Sequence, residues 1–210
     1  MHLRPLAATG LAFGLAFAAV FLRLEAGPGS ARAGTAVRLS ERELAEHAGL
    51  IVEGRVLSSA AELDERGRVR TRFLLRVDRT QWGAHVPERE VLLPGGVLRD
   101  GSGMLLAGMP RLVVGEEVLL FLSEASPNGL RVPTGLAQGK LRVVRLASGG
   151  KVLVRDAADL GLVDPRTGAL HAADGASVLD YAAVQAEIAA GVAARLARGE
   201  VPATEPGAPR

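Results

Sequence analysis

The chain has 210 residues, with 25 basic and 23 acidic groups, no cysteine, one Trp and one Tyr. The lack of cysteine excludes disulfides, thiol nucleophiles and Cys-type zinc or iron–sulfur sites, and 48% apolar content excludes a disordered chain. A nucleic-acid partner is not expected, because such a partner calls for a clustered basic stripe interleaved with stacking aromatics.

Met1 to Pro5 carries Arg4, Leu6 to Leu22 is apolar or small throughout, and a small-residue site, Ala31-Arg32-Ala33, precedes Gly34. The pattern predicts a cleavable secretory leader over residues 1–33. The apolar run is near the lower limit for spanning a bilayer, so an uncleaved anchor is the alternative. No later segment is long and apolar enough to span, and no integral membrane association is expected after cleavage. The expected location is periplasm, cell envelope or extracellular medium. The leader holds Arg4, Arg23, Arg32 and Glu25, so the remainder is formally neutral. Residues 34–199 have the length of one domain, long enough to bury a core without covalent staples.

Ser40-Glu41-Arg42-Glu43 has the form of a capping box and predicts a short helix ending at Gly49, with Leu44 and Ala48 on one side. Leu50 to Ser58 reads as a strand. Val52, Gly54 and Val56 fall on one face, and Ile51, Glu53, Arg55 and Leu57 on the other. After a turn at 64–67 comes the clearest alternation in the chain. Val69, Thr71, Phe73, Leu75 and Val77 share one face; Arg70, Arg72, Leu74, Arg76 and Asp78 share the other. That is a half-buried strand, expected to pair with 50–58. Trp82-Gly83 ends it. Glu90 to Leu93 is a further strand, stopped by Pro94-Gly95-Gly96, and a Gly-rich loop runs to about Pro110. Leu112 to Leu122 is strongly apolar, with a turn or bulge at Gly115-Glu116-Glu117 and a buried strand from Val118.

Asn128-Gly129 is a hairpin signal. Short strands are expected at Leu130–Val132, Leu141–Arg145 and Lys151–Val154, with Ser148-Gly149-Gly150 as the last turn. Asp156 to Ala176 reads as loop. Ser177, with Asp180 three residues on, is the expected N-cap of a long helix. That helix carries Val178, Tyr181, Ile188, Val192 and Leu196 at helical spacing and ends at Gly199, before Pro202. Residues 200–210, with three prolines, are an expected disordered tail. The predicted fold class is mainly β with flanking helices: a small antiparallel barrel with a short N-terminal and a long C-terminal helix.

The stretch Ala48 to Leu122 resembles a group of secreted bacterial proteins of uncharacterised function. Its marks are the run Ala48-Gly49-Leu50-Ile51-Val52-Glu53-Gly54-Arg55-Val56, then Gly67 with Thr71, Phe73 and Val77, then Gly83 and Pro94-Gly95-Gly96. Gly108-Met109-Pro110 and the run Gly115-Glu116-Glu117-Val118-Leu119-Leu120-Phe121-Leu122 complete them. The order is also similar to the netrin-like barrel of tissue inhibitors of metalloproteinases, an OB-type fold. The resemblance covers about half of the chain after the leader. It implies such a barrel and a secreted metalloprotease as partner. Those inhibitors grip the protease zinc through the amine and carbonyl of a disulfide-held N-terminal Cys. Here Gly34 would supply the amine, and no Cys is present.

His47, His85 and His171 lie in unrelated contexts, without HExxH or His-x-His, so no metal site is expected. Ser102, in Asp100-Gly101-Ser102-Gly103, lacks the spacing of a nucleophile elbow and reads as a hairpin tip. Glu116 and Glu117 are adjacent; in an extended chain they point to opposite faces and form no acid/base dyad. No catalytic residue and no cofactor is expected, with an enzyme built from residues distant in sequence as an alternative.

The candidate binding residues fall in three groups. Gly95, Gly96, Gly108 and Met109 lie in the long loop, whose backbone N–H groups could form an anion nest. Arg70, Arg72 and Arg76 are either a solvated face or a surface for an acidic polysaccharide, lipid headgroup or protein. Trp82 is a plug at the core edge or an interaction anchor. The expected function is a secreted, non-enzymatic binding module for another exported protein or an envelope component. An inhibitor or accessory partner of a secreted metalloprotease is the alternative that the resemblance supplies.

Overall fold

In the computed structural model residues 34–203 are described, apart from 159, 173 and 174. The expected leader and residues 204–210 of the expected tail lie outside them. Strand β1 (Gly34–Val37) leads into helix α1 (Glu41–His47), which is closed by the expected capping box. Ser40 N donates to Glu43 Oε2 at 2.7 Å and Glu43 N donates to Ser40 Oγ at 3.3 Å. The bond from Ser40 N, with a second from the Ser40 hydroxyl to Glu43 Oε2 at 2.7 Å, holds the Glu43 carboxyl below its ordinary pKa.

Strands β2 (Leu50–Leu63) and β3 (Val69–Trp82) form a hairpin longer than the sequence suggests. Asp64 builds its turn by accepting from the backbone N–H of Arg68 at 2.8 Å and of Arg66 at 2.9 Å. The Arg68 bonds are the main reason that the Asp64 carboxyl titrates at about 2. Register shifts at Ile51/Val52, Glu53/Gly54 and Val56/Ser58 bend the pair. Gly54 is required at the bend, because a Cβ there would collide with the Arg76 carbonyl.

β4 (Glu88–Pro94) follows, then the two-residue strands β5 (Gly96–Val97) and β6 (Gly103–Met104), and then β7 (Glu117–Leu122). A 3-10 turn at Leu136–Gly139 precedes β8 (Lys140–Arg145) and β9 (Lys151–Asp156). The chain ends through β10 (Leu160–Val163), β11 (Leu170–Ala172), β12 (Ala176–Asp180) and helix α2 (Tyr181–Ala197).

Seven strands make one antiparallel sheet in the order β12-β9-β8-β7-β2-β3-β4. β10 pairs in parallel with β1 and antiparallel with β11, and β5 pairs with β6. The central strands are buried on both faces, which explains their unbroken apolar runs. On one face, Leu44, Ala45, Val184 and Ile188 of the two helices pack on Ile51, Leu119, Phe121, Leu141 and Leu153, with Ala48 just past the end of α1. On the other, Val52, Val56, Phe73, Leu75, Val91, Leu93 and Leu120 form a second cluster, closed by Met109 and Leu112. The segment 130–134 runs between β4 and β7. Arg131 N donates to Leu92 O at 2.9 Å, and Thr134 N donates to Phe121 O at 2.8 Å.

Three local expectations change. The turn at Asn128-Gly129 forms, with Gly129 N donating to Ser126 O at 2.8 Å, but the expected strand 130–132 contributes isolated bridges only. The expected loop 156–176 contains β10 and β11, because β1 supplies a partner far away in sequence. The N-cap of α2 is Asp180, which accepts from Ala183 N at 2.7 Å, and not Ser177. Residues 176–180 extend along β9, so a ladder of backbone pairs outweighs the local cap at Ser177. Val178 therefore lies outside the helix and is 69% exposed. The buried stripe of α2 is Val184, Ile188, Gly191 and Arg195. Gly191 lets the helices touch, since a Cβ there would lie 2.8 Å from Arg42 O.

Candidate functional site

β4 cannot continue past Pro94, because Gly95 and Gly96 turn the chain with φ of +86° and +138°. Thr71 Oγ1 donates to Gly95 O at 2.7 Å, and Gly95 N donates to Val69 O at 2.9 Å, tying the turn to β3. A Cβ on Gly96 would collide with Thr71 Oγ1, so the small residue allows the close approach. The β5–β6 hairpin then projects, and Asp100 accepts from the Ser102 hydroxyl at 2.7 Å and from Ser102 N at 2.9 Å at its tip. The hydroxyl bond from Ser102 is the main cause that lowers the Asp100 pKa. Ser102 thus serves the turn.

The returning chain leaves a groove of about 310 Å³ between the β4–β5 turn and residues 105–112. Its floor is Phe73, Leu93, Met109 and Leu112, its wall includes Gly95 and Gly96, and Arg111 is its only charged lining residue. Val97, Leu105, Val113 and Val114 are each more than half exposed on this loop, Leu105 at 70%. Of the expected binding residues, Gly95, Gly96 and Met109 meet here. Gly108 faces elsewhere: with φ of +75°, a Cβ there would lie 2.8 Å from Leu160 Cδ1 and 3.3 Å from Gly34 Cα. Gly34 is packed as closely, 2.6 Å from Ala107 O by the same measure.

A second depression, also about 310 Å³, lies across the ridge Met109-Pro110-Arg111. Lys140 Nζ donates to Glu116 Oε1 at 2.6 Å and to Arg111 O at 2.7 Å. Arg142 and Asp156 line the same cleft. Glu117 points to the opposite side of the sheet, as its neighbour relation to Glu116 requires, and pairs with Arg55 at 2.5 Å and Arg145 at 3.0 Å. Burial opposes its ionisation, but Arg145 and Arg55 outweigh that and hold its carboxyl below the ordinary value.

The arginine face is neutralised. Arg70 and Arg72 both pair with Glu62 at 2.8 Å, Arg72 also pairs with Glu90 at 2.6 Å, and Arg76 lies 3.4 Å from Asp78. Glu62 and Glu90 come from the neighbouring strands β2 and β4, which the alternation of β3 alone does not reveal, whereas Asp78 lies on β3 itself. Trp82 is 2% exposed in the helix-side core, so it is no surface anchor. The Arg195 guanidinium covers its ring at 3.7 Å from the centroid. His47 Nδ1 lies 2.7 Å from Glu43 O and His85 Nδ1 lies 3.2 Å from Thr80 Oγ1. Among the described residues no three His, Asp or Glu side chains converge as a metal site.

Sequence reasoning missed Arg111, Lys140 and Arg142, which carry no motif and converge only in the fold. It also missed a buried cluster under α2. Tyr181 donates to Glu53 Oε2 at 2.6 Å, and Lys151 Nζ donates to Glu53 Oε1 at 2.9 Å. That cluster joins β2, β9 and α2 and reads as a structural tie. No helix among the described residues is long and apolar enough to cross a membrane. No family model matches the chain, and neither a curated protein nor a solved structure matches it.

Proposed function

We propose that the chain is an exported, non-enzymatic binding module that takes an apolar segment of another exported or envelope protein in the groove between Pro94–Val97 and 105–112. The observation that carries this reading is the open apolar groove, lined by exposed Val97 and Leu105 and followed directly in the chain by exposed Val113 and Val114. Soluble domains seldom leave such side chains together in water unless a partner covers them. The leader pattern of residues 1–33 supports export. A netrin-like, partly closed barrel is the scaffold of this proposal. Its support is the segment 130–134, which links β4 to β7 at the two ends of the β7-β2-β3-β4 run. Photo-crosslinking tests the groove: a benzophenone side chain in place of Leu105 should capture a partner from the exported fraction, and one in place of Leu170 should not. Equal capture at both positions would end the proposal.

One observation favours a second reading, an inhibitor of a secreted metalloprotease. Gly34, the first residue after the expected cleavage site, packs against Ala107 and Gly108. An N-terminal amine and the long loop would then form one edge. The chain beginning at Gly34 should inhibit a zinc protease at micromolar levels, and an acetylated N-terminus should abolish the effect. Undiminished protease activity would remove this reading.

A further inference from the structure

We propose that the partner segment is an extended peptide whose apolar residues fill the Phe73–Leu93–Met109 groove and whose acidic side chain lies across the ridge, between Arg111 and Arg142. This rests on the groove reading above and adds the chemistry of the ligand. The apolar groove and the charged cleft are neighbours that share Met109, Pro110 and Arg111, so one ligand can occupy both. Within the cleft, Lys140 and Glu116 neutralise each other at 2.6 Å. Arg111 and Arg142 have no ion-pair partner among the described residues, and Asp156 is the one remaining carboxylate of the lining. The cleft thus carries an excess of guanidinium. A guanidinium offers parallel N–H donors that match the two oxygens of a carboxylate.

Shape selects a peptide over a small molecule. Small-molecule sites enclose most of their ligand, whereas both depressions are open along one side. An extended chain rises about 3.3 Å per residue and presents alternate side chains to a surface. It can place apolar groups in the groove and a carboxylate over the ridge without being engulfed.

Two rhodamine-labelled peptides test this, one with the sequence Leu-Val-Leu-Gly-Asp-Asp and one ending in Asn-Asn, by fluorescence anisotropy with the purified chain. The acidic peptide should bind about tenfold tighter at low salt, because its contacts are charge-assisted, and the advantage should shrink at high salt. Arg111→Gln and Arg142→Gln should each reduce that advantage and leave the amide peptide unchanged. Leu105→Asp should weaken both peptides. Equal affinity for the two peptides would overturn the acidic partner and leave the apolar groove standing. No binding of either peptide to a chain with native Trp emission would overturn both proposals. Displacement of the acidic peptide by equimolar decanoate would overturn the peptide assignment in favour of an acyl chain.

Discussion

Replacing Arg195 by Ala removes the side chain on which three elements converge. Arg195 is 7% exposed. Its Nη1 donates to Ala45 O at 3.2 Å and to Ala48 O, both at the C-terminal end of α1, and its Nε donates to Glu200 Oε2 at 2.7 Å. Its guanidinium lies over the Trp82 ring. A hydrogen bond to a charged group is worth about 1.5–3 kcal/mol, and a desolvated cation–π contact about 2 kcal/mol. These gross gains are offset by several kcal/mol for taking the guanidinium out of water. The substitution recovers little of that offset, because two carbonyls at the end of α1 stay buried without their donor. The expected loss is about 3–5 kcal/mol, against a total stability of about 5–15 kcal/mol for a domain of this kind. Urea unfolding followed by Trp emission reads it directly, since Trp82 is the only Trp. The native emission of the variant should also shift to the red as the ring loses its cover. Arg195→Lys keeps the charge but loses the planar fork, and should recover less than half of the loss. A midpoint for Arg195→Ala corresponding to a loss under about 0.5 kcal/mol would refute the reasoning, since that is what an ordinary surface position gives.

Phe73→Asp should abolish cooperative melting. Phe73 is 7% exposed among Val52, Leu75 and Leu93; loss of the ring alone costs about 3–5 kcal/mol, and an unchanged melting curve would contradict the strand assignment. Tyr181 is the only Tyr, and burial together with its bond to Glu53 pushes its pKa up from 10 to about 12. The folded value lies above the unfolded one, so its contribution is complete below pH 10 and is lost as the pH rises through about 12. Tyrosinate absorbance should show a midpoint near the higher value in the native protein and near the lower in urea; a native midpoint at the lower value would remove the buried tie. Gly54→Ala and Gly67→Ala separate collision from dihedral strain. The first forces a Cβ into the Arg76 carbonyl and should cost more than about 3 kcal/mol. The second sits at φ +72° with nothing within 4 Å and should cost about 1–2 kcal/mol. Equal urea midpoints for the two would contradict the close packing of β2 on β3.

What the sequence disclosed was what neighbours in the chain decide among themselves. Ser40 and Glu43 satisfy each other across three residues, and Asp64 closes a turn with Arg66 and Arg68, so both features could be read without a fold. The alternation from Val69 to Val77 was legible because one face of β3 is buried and the other carries charge. The errors lie where a distant partner decides. Ser177 has the chemistry of an N-cap, but β9 lies alongside and draws residues 176–180 into the sheet. Leu160 to Val163 is too short to declare itself, and the strand it pairs with begins at Gly34.

The candidate site follows the same division, with consequences for how charge should be read in this fold. Arg70, Arg72 and Arg76 stand out in the sequence because they recur at strand spacing, yet that spacing also sets Arg70 and Arg72 beside Glu62 and Glu90 on adjacent strands and Arg76 beside Asp78 of its own strand. Regular strand positions are where cross-strand partners are easily supplied, so a periodic basic face in a formally neutral domain tends to be spent internally. Arg111 belongs to an irregular segment with no strand beside it, and Arg142, although a regular β8 position, has Val118 and Val154 and not carboxylates as its cross-strand neighbours. Neither forms an ion pair among the described residues, and both keep their charge available. In a domain whose basic and acidic groups balance, these two guanidinium groups, one on an irregular segment and one on the cleft side of β8, stay available to a partner beside the groove where apolar side chains are also left uncovered.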